Sequence, residues 1–387
     1  MVQARLSRLQ HALTERAARQ LLRQPVTLDS YNGRLITVSG REYLNFSGND
    51  YLGLAQAPEV RQAFADGAIA YGAGSSGSPL VTGQHKVHQQ LTDTLCDWLG
   101  TERALLFSSG FAANQAMLLT LAAKEDALLL DKLSHASLID AALCSKAAFK
   151  RFAHNNLNDL NQLLNHHNVA GSQPMVVTEG VFSMDGDSPD LAAMLSLCQK
   201  YSAPLLLDDA HGLGVLGPQG QGSAASQGVA ASELFCLMAN FGKALGAGGA
   251  FIAASNTVID YLEQFGRHYI YSTALSPALC AGVLKSIQLC RQQDWRRDKL
   301  QHNISLFRKL SADLPLLVSA SAIQGLVLGS SARAIAASAQ LKQAGIWLSA
   351  IRPPTVPAQS ARLRITLSSQ HTDDDISMLV QQLRRAI

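Results

Sequence analysis

The chain has 387 residues, 47% of them hydrophobic and 16% charged, with a net charge of +3. That length suits one large domain with smaller lobes, the composition excludes a disordered chain, and the scattered basic residues give no nucleic-acid footprint. The six cysteines (Cys96, Cys144, Cys198, Cys236, Cys280, Cys290) form no C-x-x-C pair and stand among apolar or small residues, a pattern expected of buried, reduced thiols in the cytoplasm.

In chain order, residues 1–24 place Leu6, Leu9, Leu13, Ala17 and Leu21 on one helical stripe. Glu15 and the lack of an apolar h-region or small-residue cleavage site favour an amphipathic helix of the mature protein over a transit peptide. No apolar run approaches membrane-spanning length, so no membrane partner is expected. "RLITVSGREYLNFSGNDYLGL" alternates apolar and polar residues around Gly40 and reads as a hairpin entering a loop. From about Tyr43, helical patterns such as "VHQQLTDTLCDWLG" and "FAANQAMLLTLAA" alternate with short apolar runs such as "DALLLD", "PMVVTEG" and "PLLLDDAHG". This alternation predicts an α/β fold, a mostly parallel sheet covered by helices on both faces. Beyond Pro277 the pattern predicts one long helix, "PALCAGVLKSIQLCRQQDWRRDKLQHNISLFRKL", and then the short strands and helices of an α+β lobe. The expected organisation is a helix and hairpin segment over 1–42, a large domain over 43–280 and a C-terminal α+β domain over 281–387.

In open parallel sheets ligands bind where strands end, and several polar turns fall at such ends. "GAGSSGSPLVTG", Gly72 to Gly83, allows close backbone approach to a ligand or between elements, but has neither P-loop nor dinucleotide spacing. "FSSGFAANQA" places a Ser-Ser-Gly turn at a helix start, where backbone N–H groups form an anion site. In "APLLLDDAHG" three leucines make a buried strand, after which Asp208 is costly unless a cation meets it. The plainer alternative has Asp208 and Asp209 capping the next turn and His211 as a satisfied histidine. "VVTEGVFSMDGD" ends another strand with Glu179, Ser183 and Asp185, and such carboxylates and histidines at consecutive strand ends are also metal-ligand chemistry. Lys243, in "NFGKALGAGGA", lies between an apolar run and small residues. Apolar surroundings lower a lysine's pKa and leave an amine able to form an imine with a carbonyl; the alternative is a side chain that snorkels to water. Pyridoxal phosphate requires such a lysine, a carboxylate for its pyridine nitrogen and a phosphate cradle. Lys243, Asp208 and the Gly/Ser turns supply that set.

The blocks "NFSGNDYLGL", "GSSGSPLVTG", "FSSGFAANQA", "DKLSHASLIDA", "VVTEGVFSMDGD", "LLLDDAHGLGVLGPQGQG", "FGKALGAGGAF", "YSTALSP" and "IRPPTVPAQSARLRITL" span nearly the whole chain. In order and spacing they resemble the α-oxoamine synthases, within the aspartate-aminotransferase-like (fold type I) pyridoxal-phosphate enzymes. The resemblance implies a large domain with a mostly parallel seven-stranded sheet, and pyridoxal 5'-phosphate as cofactor. It implies that Lys243 joins the cofactor covalently, that Asp208 keeps the pyridine nitrogen protonated, and that His211 and Ser183 bond its phenolic oxygen. His135, in "SHAS", would stack on the ring and contact substrate, and the backbone of Gly110 and Phe111 would meet the phosphate. Ser272 and Thr273 would reach the phosphate of a neighbouring subunit, making a homodimer with shared sites. Arg364 would bind the amino-acid carboxylate, with Arg23, Asn49 and Thr355 as further substrate contacts. Three residues before the lysine, where the family carries Thr or Ser, this chain has Asn240, whose amide can also donate to a phosphate.

The block "IRPPTVP" before "RLRIT" is similar to the family members that condense L-alanine with a pimeloyl thioester, carried by coenzyme A or acyl carrier protein, in biotin biosynthesis. Three alternatives stand beside it. One is a glycine-using relative that makes 2-amino-3-oxobutyrate or 5-aminolevulinate. The second is a silent cofactor-binding partner subunit, against which the intact Lys243 speaks. The third is a metal hydrolase on Asp208, His211 and Glu179, which leaves Lys243 unexplained.

Overall fold

The structure, a computed structural model, describes residues 2–19, 21–169 and 171–387. Two compact units emerge, one of Asn49–Ser183 with Asp187–Lys299, the other of the chain up to Gly48 with Met184–Gly186 and Leu300–Ile387.

The larger unit is built on seven strands: β1 (Arg103–Phe107), β2 (Asp126–Asp131), β3 (Ala148–Phe152), β4 (Gln173–Glu179), β5 (Leu205–Asp208), β6 (Cys236–Asn240) and β7 (Ala250–Ala254). They form one sheet in the order β1-β7-β6-β5-β4-β2-β3. Only β7 runs antiparallel to its neighbours; the other pairs are parallel. The apolar runs that predict these strands are buried almost throughout in β2, β4, β5, β6 and β7, as strands covered on both faces must be. At the sheet edge β3 exposes Lys150 and Arg151, charges that discourage pairing with another chain. Because β2, β4, β5 and β6 are parallel, their C-terminal ends, at Asp131, Glu179, Asp208 and Asn240, lie along one edge of the sheet. The end of β1 reaches the same edge, since Phe107 and Asn240 are both opposite Ala250.

In the smaller unit the helix Val2–Ala18 has no buried residue, and Leu6, Leu9 and Leu13 are exposed along it. The hairpin forms as expected, Leu35–Val38 pairing with Arg41–Asn45. Ser39 and Gly40 at its tip both have positive φ, 51° and 72°, the geometry that suits the twist of a two-residue turn. A second sheet joins Ile323–Gly329, Ala361–Thr366 and Ser349–Ile351 in antiparallel order. The closing helix Asp373–Ala386 begins with a capping box between Thr372 and Asp375, and Arg34 donates to both Asp375 oxygens at 2.7 and 2.8 Å.

Three features differ from the sequence reading. The single helix expected beyond Pro277 is two, Pro277–Gln292 and Asp294–Leu310. Gln293 leaves the helix, and Arg297 reaches back to donate to the Cys290 carbonyl at 2.6 Å, satisfying an acceptor that the break exposes. The units divide at Asn49 and Leu300 rather than at 43 and 281. The hairpin joins the C-terminal segment because Ile346–Trp347 pairs in parallel with Leu44–Asn45, while Pro277–Gln292 belongs to the larger unit and buries Cys280, Val283, Ile287 and Cys290. Cys144, expected among the buried thiols, is exposed, and Cys96 is half-buried; Cys144 is the last residue of its helix.

Candidate active site

The adjacent aspartates at the end of β5 go separate ways. Asp209 has no exposed surface and turns inward, accepting the Ser223 N–H at 2.7 Å and the Ser223 hydroxyl at 2.5 Å. Burial pushes its pKa up to about 7 despite those donors. Asp208 lies at the sheet edge, its Oδ1 accepting the Ala210 N–H at 3.0 Å and its Oδ2 accepting Asn114 Nδ2–H at 2.8 Å. Asn114, on the helix Gly110–Leu121, also donates to Ser137 Oγ at 2.9 Å, and Ser137 Oγ lies 2.7 Å from His135 Nδ1. His135 caps the helix Ala136–Cys144, and its Nδ1 accepts the Ser137 N–H at 3.2 Å. Its backbone N–H donates to Glu179 Oε1 at 2.6 Å.

The electrostatics of this edge are those of a crowded carboxylate site. Glu179 is held well above the ordinary carboxylate range by burial and by the neighbouring Asp208 charge, with the Lys243 ammonium opposing. His135, although accessible to solvent, is packed closely enough that desolvation lowers its pKa; Asp208 works against the shift and Lys243 adds to it. The Lys243 charge therefore acts on Glu179, His135 and Asp209 together.

Lys243 is half-buried on the turn from β6 to β7. The turn is tied down by backbone bonds: Phe241 N–H to Gly249 O at 2.9 Å, Ala247 N–H to Phe241 O at 2.8 Å and Gly246 N–H to Lys243 O at 2.9 Å. At the head of this turn Asn240 Oδ1 accepts the Gly242 N–H at 3.1 Å, which leaves the NH2 end of the amide to face elsewhere. A Cβ built on Gly110 would lie 3.5 Å from that Nδ2, so the Asn240 donor converges on the start of the helix Gly110–Leu121. Ser109 caps that helix by accepting the Ala112 N–H at 3.1 Å, while the N–H groups of its first residues, Gly110 and Phe111, have no intrahelical acceptor.

Three residues after Asp208, buried His211 places Nδ1 2.8 Å from the Tyr51 hydroxyl, which itself donates to Asn49 Oδ1 at 3.2 Å. Ser183 is half-buried in the turn after β4. Ser272 donates to the His268 carbonyl at 2.6 Å. With exposed Thr273 it lines a cavity of about 430 Å³ whose wall includes His88, Arg103 and His268 but not Asp208, His135 or Lys243. In the smaller unit Arg23 donates to Thr355 Oγ1 at 2.6 Å, bringing two expected substrate contacts together. Arg364 is buried on the strand Ala361–Thr366. Asp185, grouped in the sequence reading with Glu179 and Ser183, is paired at 2.5 Å with Arg362. Among the described residues, no group of three or more His, Cys, Asp or Glu is placed to hold a metal ion.

The sequence reading did not single out Asn114, Ser137 or Tyr51. Each lies inside a quoted motif, but neutral polar residues carry no signal until the fold brings them to a charged partner.

The donor set at this edge fits pyridoxal phosphate. N–H groups from a helix start and the Asn240 amide converge at one end, as a phosphate needs. A buried carboxylate whose two oxygens both act as acceptors suits a protonated ring nitrogen. The half-buried lysine suits the carbonyl, and the sheet edge that carries all three is where such folds bind ligands.

Comparison with known proteins agrees. The family described as aminotransferase class I and II matches residues 41–383. The 8-amino-7-oxononanoate synthase of Vibrio cholerae is 48% identical over 383 residues, covering 98% of this chain and 97% of that protein. That of Photobacterium profundum is 47% identical over 384 residues, covering 98% and 97%. Among solved structures, a serine palmitoyltransferase of Sphingomonas wittichii matches with a TM-score of 0.93 at 30% identity, covering 98% of this chain and 97% of that one. An 8-amino-7-oxononanoate synthase of Francisella tularensis matches with a TM-score of 0.78 at 32% identity, covering 89% and 97%.

Proposed function

This chain belongs to the aminotransferase class I and II family as a pyridoxal-phosphate-dependent transferase of fold type I, and on that premise we propose how its residues carry out its reaction. The reaction is that of 8-amino-7-oxononanoate synthases, a step of biotin biosynthesis. The α carbon of L-alanine bonds to the carbonyl carbon of a pimeloyl thioester, the C–S bond breaks and the thiol leaves. The alanine carboxylate departs as carbon dioxide, and 8-amino-7-oxononanoate remains. Pyridoxal phosphate, when bound, supplies the electron sink that makes the alanine α-proton acidic.

Lys243 would hold the cofactor through its amine, and the same amine would be the base that takes the alanine α-proton. Asp208 holds a proton on the pyridine nitrogen, and His211 and Ser183 hydrogen-bond the phenolic oxygen. His135 lies against the ring face and contacts substrate. The amides of Gly110 and Phe111, together with Asn240, hold the phosphate. Arg364 binds the alanine carboxylate, while Arg23, Asn49 and Thr355 contact substrate. In a homodimer, Ser272 and Thr273 reach the phosphate of the partner subunit. No described helix is long and apolar enough to cross a membrane, and a cytoplasmic enzyme agrees with six free thiols.

The observation that carries these roles is the meeting of the Lys243 charge with Asp208, Glu179 and His135 at one sheet edge. The experiment is Lys243→Ala. Borohydride fixes the cofactor to the wild-type protein and not to the variant, and turnover of L-alanine with pimeloyl thioester is lost; an active variant overturns the role. Wild-type turnover of glycine in place of alanine would overturn the substrate, and parallel assays with coenzyme A and acyl carrier protein thioesters identify the carrier.

A further inference from the structure

Asn114 is 1% exposed, and none of the roles proposed above uses it. Its single NH2 group donates twice, to Asp208 Oδ2 at 2.8 Å and to Ser137 Oγ at 2.9 Å. The amide's orientation follows, since only the NH2 end can face a carboxylate oxygen. Its own Oδ1 is buried with no hydrogen-bond partner, a cost that an amide placed only for packing would avoid.

Ser137 Oγ accepts from Asn114 and lies 2.7 Å from His135 Nδ1, a nitrogen that a fixed backbone donor already makes an acceptor, so the hydroxyl proton turns toward it. The Ser137 N–H donates to the same nitrogen at 3.2 Å. With two donors aimed at it, Nδ1 is unprotonated, and the neutral ring carries its one proton on Nε2. An imidazolium has no lone pair at Nδ1, so it would break the Ser137 N–H bond and force the hydroxyl to reverse.

We propose that Asn114 is a positioning residue that couples Asp208 to His135, fixing the carboxylate as an acceptor and the histidine as its neutral Nε2–H tautomer in one hydrogen-bonded run. The inference rests on the roles proposed above for Asp208 and His135. An imidazolium stacked on a ring whose nitrogen Asp208 keeps protonated would set like charges face to face, and the coupling prevents it. The charged groups facing His135 are Asp208 and Asp140, which favour the imidazolium, and Lys243, which disfavours it. Glu179 faces its backbone N–H, and desolvation, the largest influence, also disfavours the charge.

The test reads the two ends separately. Side-chain nitrogen NMR of the cofactor-free wild type shows His135 as a single Nε2–H tautomer. In Asn114→Ala the Ser137 hydroxyl is free to turn away, so His135 Nδ1 keeps only the Ser137 N–H as donor and the ring titrates higher by about half a pH unit or more. In the same variant with ¹⁵N-labelled cofactor bound, Asp208 has lost a donor and turns more of its charge to the ring, so the pyridine nitrogen keeps its proton to higher pH. Ser137→Ala moves His135 alone and leaves the pyridine nitrogen as in the wild type. A His135 that stays unmoved in Asn114→Ala, or a pyridine nitrogen that moves equally in both variants, overturns the coupling. Should Asn114→Ala not fold, a wild-type His135 carrying its proton on Nδ1 overturns it alone. Borohydride fixation at Lys243 is followed in the same samples. Its failure in the wild type refutes the cofactor roles, whereas intact fixation with an unmoved His135 refutes only the coupling.

Discussion

Asn240 stands where the resemblance implies Thr or Ser, and the structure gives its amide a direction. Its Oδ1 is held by the Gly242 N–H, so its two N–H donors are available toward Gly110. Asn240→Ala is expected to weaken cofactor binding by roughly tenfold or more, as loss of one hydrogen bond to a charged group does, whereas Asn240→Thr keeps a donor and loses less. Equilibrium titration of the cofactor-free protein measures both, and equal weakening by the two substitutions would rule out a phosphate contact. Lys243 and Asp208 were legible in the sequence because a charge beside an apolar run is expensive and invites a reason. Asn114, Ser137 and Tyr51 were not, because an amide or hydroxyl in a helix or loop costs nothing until a buried carboxylate or histidine is brought within 3 Å of it. The pair Asp208 and Asp209 lay between these cases. The sequence leaves open a cofactor carboxylate or a turn cap; in the structure Asp209 turns inward to hold Ser223, while Asp208 lies at the sheet edge with its Oδ1 accepting the Ala210 N–H of the following turn.

At the scale of elements, strands were the most legible part of the chain, since uninterrupted apolar runs of this length fit only a sheet covered on both faces. The helix break at Gln293 was not legible, because no Gly or Pro marks it and "QQDWRRD" continues the helical composition. What stabilises the break is a contact, Arg297 on the Cys290 carbonyl. The turn that presents Lys243 was legible as small residues without its reason, which is steric. Gly246 has φ 64°, and a Cβ there would strike the backbone of Ala55. Gly100, which ends the helix Lys86–Leu99, has φ 70° with nothing within 4 Å of an added Cβ. Gly100→Ala is therefore expected to cost only the left-handed backbone term, about 1 kcal/mol. Gly246→Ala adds a backbone collision, costs about 3 kcal/mol or more, and displaces the lysine turn so that borohydride no longer fixes the cofactor efficiently. Chemical denaturation and fixation yield of the two variants check the contrast; similar costs would mean that the turn yields freely.

Across the whole molecule, each unit holds a histidine whose titration links stability to pH, His154 half-buried and His371 buried, and the two act in opposite directions. In the larger unit His154 lies between Asp131 and Asp187, 2.8 Å from each. Burial alone would lower its pKa, but the two carboxylates outweigh burial and raise it to about 10 from 6.5. A raised histidine contributes stability that is fully present below pH 6.5 and is lost as pH rises toward about 10. In the smaller unit His371 stacks on Phe46 with centroids 4.1 Å apart. Its Nδ1 accepts the Ser368 N–H at 3.1 Å, and its Nε2–H donates to the Asn45 carbonyl at 3.0 Å. Burial lowers its pKa to about 4, so its contribution is complete above pH 6.5 and is lost as pH falls toward about 4. Each effect amounts to at most about 1.4 kcal/mol per pH unit within its window. The sequence shows neither histidine's role, because their partners are distant: Asp131 and Asp187 lie 23 and 33 residues from His154, and Asn45 lies 326 from His371. Thermal unfolding of the wild type should therefore show the His371 loss on the acid side and the His154 loss on the alkaline side, superposed on the loss, as pH rises between about 4 and 7, that buried Asp209 contributes. His154→Gln should flatten the alkaline decline and leave the acid one, while His371→Asn should flatten the acid decline and leave the alkaline one. Comparing each variant with the wild type at every pH removes the pH dependence of cofactor binding common to both. Alkaline slopes that match in His154→Gln and the wild type would show that the Asp131–His154–Asp187 bridge does not govern stability above neutrality.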